Sequence, residues 1–322
     1  MHAIVVSTTG GPEVLEYTER TDPAPGPGEL LVDIAAAGVN FLDTYHRAGR
    51  YPMPTPFVLG VEGAGTVAAV GAGVTGVSVG DVVASHEFKG SYATRATVAA
   101  DKAVTIPDGV SAEDAAAAML QGMTAHYLTH AIAPVQPGET VLVHAAAGGM
   151  GLLLTQVVKL RGGRVIGTVS TADKEKLARD AGADEVIRYT ETDFTAETRR
   201  LTGGEGVSVV YDGVGATTFD GSMASLRPRG MLALYGGASG PVPPVDPMRL
   251  NTGGGLFLTR PSLVHYTTTR EEFLERATAV LGWVASGDLR LHIGRRYDLA
   301  EARTAHEDLE GRRTTGKLLL IP

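Results

Sequence analysis

The chain has 322 residues, a formal net charge of −8, 42 glycines, 17 prolines and 6% aromatics, and it contains no cysteine. The missing cysteines exclude disulfides, thiolate zinc sites, iron–sulfur clusters and a cysteine nucleophile. The length suits about two domains, no stretch reaches the ~18 apolar residues of a membrane span, and basic clusters no larger than Arg199-Arg200, Arg295-Arg296 and Arg312-Arg313 argue against a nucleic-acid groove.

The N-terminus, M-H-A-I-V-V-S-T-T-G-G, has no charged region followed by an apolar run, so no secretory signal is expected and the cytoplasm is the default. Met1–Ala118 reads as β-rich. The runs Leu30–Ala35, Gly65–Val70, Asp81–Ala84 and Tyr92–Val98 are short, apolar or alternating, and divided by Gly, Pro and Asp clusters, the pattern of a partly open barrel or twisted sheets. Pro23-Ala24-Pro25-Gly26-Pro27-Gly28 is a stiff loop in which no helix can start. Ser111 with Asp114 resembles a capping box and places a helix at Ala112–Leu120.

From Gln121 the pattern becomes an alternation of strands and helices. Thr124–Ala131 is read as helical, and T-V-L-V-H-A-A-A-G-G-M-G (Thr140–Gly151) as a strand running into a glycine turn, followed by the apolar helix Leu152–Leu160. Strands are then expected at Arg164–Val169, Glu185–Tyr189, Val207–Asp212, Met231–Gly236 and Leu256–Leu258. Helices are expected at Thr171–Ala181 and Gly221–Leu226. Such alternation implies right-handed βαβ units and a doubly wound parallel sheet. Beyond Pro261 it stops. Thr269 with Glu272 caps a helix to Ser286, and a helix at Ala300–Leu309 precedes a terminal strand, Lys317–Ile321. This tail is too small for a domain of its own and is expected to pack back on the N-terminal half.

Ala146-x-Gly148-x-x-Gly151 is a variant of the dinucleotide fingerprint, and the strand before it and the helix after it supply the context that gives the motif meaning. Gly148 lets the backbone approach a pyrophosphate, Gly151 lets helix and strand pack closely, and the N–H groups of Ala147, Gly148, Gly149, Met150 and Gly151 lie at the positive end of the helix dipole. Ala146 replaces the usual first glycine, which its methyl allows only if its φ stays negative. A site for NAD ends its second strand in Asp or Glu, about 20 residues past the glycines. Here that place holds Ser170, with Lys174 nearby, and no carboxylate at the strand end. A hydroxyl and an ammonium would hold a 2′-phosphate, so NADPH is favoured over NADH. Asp173 can face either way, Lys174 has a plain alternative as a solvated first-turn residue, and Tyr189 could add a phenol contact or simply end its strand.

No G-x-S-x-G elbow or H-E-x-x-H occurs, and the nine histidines lack metal-like spacing. His126 and His130 share a helix face without a carboxylate pair, so no metal site is expected. What remains is hydride chemistry, which the cofactor carries and the protein orients.

The whole chain resembles the zinc-free quinone oxidoreductases of the medium-chain dehydrogenase/reductase superfamily, the group that includes zeta-crystallin. The resemblance lies in Gly10–Leu15 (G-G-P-E-V-L), Gly38–Tyr45 (G-V-N-F-L-D-T-Y), Gly60–Gly65 (G-V-E-G-A-G), Ala145–Gly151, Val210–Gly215 (V-Y-D-G-V-G), Thr259–Leu263 (T-R-P-S-L) and Gly316–Pro322. It implies a Rossmann domain (121–261) inserted in a GroES-like β-rich catalytic domain (1–120 and 262–322), an α/β fold overall. It places Asn40 where zinc-dependent relatives have a ligating cysteine and Val61 where they have a histidine. It further implies that Asn40, Tyr45 and Tyr51 line the nicotinamide and quinone cleft, the tyrosines stacking on a planar acceptor or donating to an oxyanion. Ser170, Lys174 and Tyr189 gain support as adenosine-phosphate contacts. Gly236–Ser239 and Phe257-Leu258-Thr259 would flank the nicotinamide, with Thr124 among the cofactor contacts, and Arg312, Gly316 and Lys317 would reach the cofactor from the C-terminal segment. A homodimer through the edge of the Rossmann sheet at Leu256–Leu258 is implied as well.

The resulting expectation is hydride transfer from NADPH to a quinone, without metal. Reduction of an α,β-unsaturated carbonyl (an enone) is the nearest alternative. A non-catalytic NADPH-binding protein with a structural or RNA-associated role is the alternative from another class.

Overall fold

The structure, a computed structural model, describes residues 1–322 and divides into two compact units: Met1–Met123 with Thr267–Pro322, and Thr124–Tyr266. In the N-terminal segment the elements are β1 (His2–Val6), β2 (Leu15–Glu19), β3 (Glu29–Val39), α1 (Phe41–Arg47), β4 (Phe57–Val58), β5 (Glu62–Val70), β6 (Val82–Ser85), β7 (Arg95–Ala99), β8 (Val104–Thr105) and α2 (Ala112–Tyr127). The second unit holds β9 (Thr140–Val143), α3 (Gly149–Leu160), β10 (Arg164–Val169), α4 (Ala172–Asp180), β11 (Glu185–Arg188), α5 (Phe194–Leu201), β12 (Val207–Asp212), α6 (Phe219–Ser225), β13 (Leu226–Leu234), α7 (Met248–Thr252) and β14 (Phe257–Thr259). The C-terminal segment adds α8 (Arg270–Ser286), β15 (Ile293–Asp298), α9 (Ala302–Glu310) and β16 (Lys317–Ile321).

The first unit is built on β3, whose run L-L-V-D-I-A-A-A-G-V is buried along most of its length, as a central strand requires. It pairs antiparallel with β5, β7 and β16 in a seven-stranded sheet ordered β15-β16-β3-β5-β6-β8, with β7 branching from β3. A smaller sheet, β2-β1-β4, accompanies it. The core draws Ile4, Leu30, Val32, Val67 and Val83 from the N-terminal strands and Tyr297, Leu318 and Leu320 from the C-terminal ones.

The second unit is a six-stranded parallel sheet ordered β11-β10-β9-β12-β13-β14. This is the doubly wound order, in which the chain reverses direction across the sheet between β9 and β12, and ligands bind beyond the carboxyl ends of the strands at that point.

Several elements differ from the sequence reading. The helices expected at Ala112–Leu120 and Thr124–Ala131 are one helix, α2, continued by a π-helical turn, Leu128–Ile132. Gly122 is a packing residue within α2, since a Cβ on it would lie 2.5 Å from Val280 Cγ1. The strand expected at Tyr92–Val98 starts at Arg95. The residues before it lie along β1, with Ile4 N–H donating to the Tyr92 carbonyl. β13 begins at Leu226, not Met231, because a bulge with Arg229 at φ 61° carries the strand through Arg227-Pro228-Arg229-Gly230. Strands β1, β2 and β15 and helices α1 and α5 were not read from the sequence. The Ser111 and Thr269 caps both form, the latter as a reciprocal capping box.

His86 and His306 are buried, and burial pushes both imidazoles down to about 3. A histidine held neutral in the fold stabilises it fully above its unfolded pKa of about 6.5 and loses that contribution as pH falls toward the folded value, by about 1.4 kcal/mol per histidine per pH unit. Thermal unfolding followed from pH 7.5 to pH 5 is therefore expected to show a falling midpoint below pH 6.5. A flat profile over that range would refute the neutral imidazoles.

Candidate active site

The phosphate loop follows from the local sequence. β9 ends at Val143, the buried His144 follows, the chain turns, and α3 starts after Gly148 as N-cap with no side chain closing its first N–H groups. The left-handed residue of the turn is Ala145, at φ 50°, so Ala146 keeps an ordinary φ. A Cβ on Gly151 would lie 2.3 Å from the Ala145 carbonyl oxygen and 2.7 Å from Ala146 Cα, so only glycine lets α3 approach its strand this closely. Open N–H donors at a helix N-terminus, backed by glycine, fit a pyrophosphate.

At the next strand ends, Val169 of β10 pairs with Arg188 of β11, so Ser170 and Tyr189 lie side by side, one residue beyond. Lys174 is in the first turn of α4, whose N-cap Thr171 accepts from its N–H. The structure thus sets Ser170 beside Tyr189, with Lys174 in the helical turn that follows Ser170, and Tyr189 is 42% exposed. This donor set fits a 2′-phosphate.

Gly236 and Ser239 follow β13. A Cβ on Gly236 would lie 2.5 Å from the Gly213 oxygen, and the Ser239 hydroxyl donates to Val214 O and accepts from Thr217 N–H. These contacts knit the loops after β12 and β13 together. Asp212 shapes the same region by accepting from Val214 and Gly215 N–H and from the Thr218 and Ser222 hydroxyls. Phe257 and Leu258 are on the edge strand β14, and Thr124 is buried on α2. His126 and His130 stack, with ring centroids 4.1 Å apart. No three His, Asp or Glu side chains converge as a metal would need.

In the first unit, Asn40 is buried and its side chain is fully engaged. Its Oδ1 accepts from Lys317 Nζ at 2.7 Å and from Gln121 Nε2 at 3.2 Å, while its Nδ2 donates to Glu62 Oε2 at 2.8 Å and to Gly38 O at 3.3 Å. Glu62 is wholly buried, takes an ion pair from Lys317 and accepts the Leu120 N–H at 2.6 Å. Gly38 makes room for it, because a Cβ there would lie 2.1 Å from Glu62 Oε2. Lys317 is therefore not placed as the expected cofactor contact. Its side chain is 4% exposed and is held within this unit by Glu62 and Asn40, since a buried ammonium must sit against a carboxylate.

α1 carries Tyr45 and is fastened at both ends. Asn40 N–H donates to the Asp43 carboxylate at its start, and near its C-terminus Arg47 makes a bidentate bridge to Glu310 of α9. Tyr45 is 8% exposed, with the Arg50 guanidinium 4.4 Å from its ring centroid and Tyr51 edge-on at 5.5 Å. Tyr51 is the more open of the pair, at 42%. Arg312 is exposed in the turn between α9 and β16, at φ 56°.

Glu62, Gln121 and Asp43 were missed by sequence reasoning. The available signal was a lone carboxylate inside an apolar run, which demands a buried cation elsewhere in the chain.

Comparison with known proteins is consistent along the whole chain. Residues 26–130 match the alcohol dehydrogenase GroES-like domain, and residues 181–320 match the zinc-binding dehydrogenase family. A quinone oxidoreductase of Salmonella typhimurium is 46% identical over 97% of this chain and 97% of its own. A 2-haloacrylate reductase of a Burkholderia species is 42% identical over 99% and 98%. The structure of a mycobacterial protein complexed with NADPH superposes with a TM-score of 0.98 at 55% identity, covering 100% of both chains.

Asp43 gives this geometry a pH signature. It is fully buried; its Oδ2 accepts from Asn40 N–H at 2.8 Å and Tyr92 O–H at 3.0 Å, and its Oδ1 has no partner. Burial pushes its pKa up to about 7. Such a carboxyl contributes to stability fully below its unfolded pKa and loses that contribution as pH rises through 7, the opposite sense to the histidines. Asp43→Asn, which cannot ionise, is expected to gain roughly 2 kcal/mol on the wild type between pH 5 and pH 8. Urea unfolding at the two pH values measures this, and an equal difference at both would refute a neutral Asp43.

Proposed function

This chain belongs to the quinone oxidoreductases of the medium-chain dehydrogenase/reductase superfamily, and we propose that it reduces quinones at the expense of NADPH, as a cytoplasmic enzyme without a catalytic metal. The observation that carries the reading is the Ser170 and Tyr189 hydroxyls just beyond β10 and β11, with Lys174 in the first turn of α4, where an NAD site would place a carboxylate at the end of β10. Bound NADPH supplies the hydride from its nicotinamide C4.

The unit Thr124–Tyr266 holds the cofactor. The α3 N-terminus binds the pyrophosphate, with Ala147, Gly149, Met150 and Gly151 as donors, while the Gly148 N–H donates to the Ala145 carbonyl at 2.9 Å. Ser170, Lys174 and Tyr189 bind the 2′-phosphate and adenosine end, and Thr124, Gly236, Ser239, Phe257 and Leu258 take the nicotinamide half. The unit formed by Met1–Met123 and Thr267–Pro322 handles the acceptor through Asn40, Tyr45 and Tyr51. The packed Tyr45–Tyr51 pair suits a flat, apolar ring. No side chain is set up as an obligatory acid, and a quinone needs none, because its reduced oxygens are stable as anions until solvent protonates them. The haloacrylate reductase relative keeps a second reading open, reduction of an activated C=C bond, in which Tyr45 would have to assist protonation at carbon.

We also propose a homodimer through the edge of the parallel sheet. β14 is an edge strand that carries Phe257, 56% exposed, an unpaired edge with an exposed aromatic, of the kind proteins cover.

Lys174→Ala is expected to raise KM for NADPH about 10- to 100-fold, the worth of a charge-assisted bond, while KM for NADH moves less than about twofold; equal loss with both coenzymes would refute the 2′-phosphate site. With a quinone as acceptor, Tyr45→Phe is expected to keep kcat within about threefold. With an enone a loss of about 100-fold marks a proton donor. A collapse of quinone turnover would overturn the acceptor reading.

A further inference from the structure

The cluster around Asn40 is more than packing requires. Two buried opposite charges gain little over apolar residues of the same volume, yet Glu62 and Lys317 are both sequestered, with side chains 0% and 4% exposed. What they share is the Asn40 amide, which can in principle point either way because its two ends are alike in shape. Lys317 has only donors, so it draws Oδ1 toward itself. Glu62, with only acceptors, draws Nδ2. Gln121 adds a second donor to Oδ1. The two charges together admit a single orientation of the amide. Within it the Nδ2–Gly38 O bond, at 3.3 Å, is the longest and involves no charge, so it is the one that yields most readily to a better acceptor.

We propose that Lys317 is a positioning residue for hydride transfer: with Glu62 it locks the Asn40 amide so that the N–H now directed at Gly38 O is available to the carbonyl oxygen of the acceptor. The hydride forms an O–H bond at one quinone oxygen, the π electrons shift through the ring as it becomes aromatic, and the pair from the second C=O bond comes to rest on the second oxygen, to which the Asn40 N–H donates without transferring its proton. Solvent later supplies the proton. The inference rests on the reading of Asn40 as an acceptor-site residue, and it gives Lys317 a function that acts through Asn40 and not through the cofactor.

The test uses the full-length enzyme with NADPH and a soluble benzoquinone. Lys317→Met alone leaves Glu62 buried and unpaired and is liable to unfold. The deciding variant is therefore Glu62→Gln with Lys317→Met, which removes both charges together and keeps an acceptor for the Leu120 N–H. It is expected to unfold within a few degrees of the wild type and to bind NADPH with unchanged Kd, while kcat falls about 10-fold or more, as for loss of a transition-state hydrogen bond. Lys317→Arg, which keeps the cation, is expected to restore most of kcat. Wild-type kcat in the folded double variant would overturn the inference, and so would a raised NADPH Kd with kcat intact, the mark of a cofactor contact. Asn40→Ala separates the premise from the inference. If kcat survives in it, the reading of Asn40 fails; if kcat falls there and not in the double variant, only the role of Lys317 fails.

Discussion

A wholly buried carboxylate, Glu62, sets the terms for the catalytic unit. At the start of β5 it has no water to solvate its charge, and an unpaired charge in such a place costs several kcal/mol. The chain meets that demand from four directions: the Lys317 ammonium from β16, the Asn40 amide from the start of α1, the Leu120 N–H from α2, and the bare Cα of Gly38 on β3. One ion pair thus ties residues 255 positions apart and explains why the last strand of the chain belongs with the first half. The C-terminal segment completes a charge balance that the N-terminal barrel cannot complete alone.

A second constraint governs the nucleotide unit, and it is steric. The usual first glycine of the phosphate loop is Ala146, and its methyl has to go somewhere. Two adjustments accommodate it. The left-handed conformation moves back one residue to Ala145, a modest strain of the kind found at functional loops. On the neighbouring strand Gly167 leaves the space, because a Cβ there would lie 2.8 Å from Ala146 Cβ. Gly148 still caps α3 with no side chain closing the first N–H groups of the helix, so the substitution alters the packing beneath the loop and spares the helix N-terminus.

The parts of the fold visible in the sequence were those written in local patterns. The run T-V-L-V before the glycines, the spacing from Gly151 to Ser170 and the Thr269–Glu272 cap each express a short-range rule, and the structure shows strand, loop and cap in place. Long-range pairings left no such trace. Lys317 looks like any lysine opening a terminal strand until Glu62 is seen opposite it. The packing of Gly122 against Val280 is equally invisible in the local sequence. Strand β15 was illegible because its buried pattern is sparse, with only Tyr297 fully inside. The family resemblance marked Asn40 and Tyr45 but could not say what surrounds them, because the partners are supplied by the fold.

Those surroundings bear on the chemistry. Around α1 the histidine and tyrosine protons have assigned places. Arg47 donates to His306 Nδ1, which leaves the imidazole proton on Nε2 beside the Tyr92 hydroxyl, and Tyr92 in turn donates to Asp43. Burial holds His306 far below neutrality and the Tyr92 phenol far above it, so neither exchanges protons readily near pH 7. Arg47, His306 and Tyr92 therefore serve to fix positions, and Asp43, the one group of this network that titrates near neutrality, is wholly buried. Such a site is poorly equipped for a reaction whose barrier lies in proton transfer, and it suits one in which a hydride moves onto an acceptor that stabilises its own negative charge. Quinones are acceptors of that kind, and the rigidity of the buried network supplies orientation, the main thing such a transfer asks of the protein.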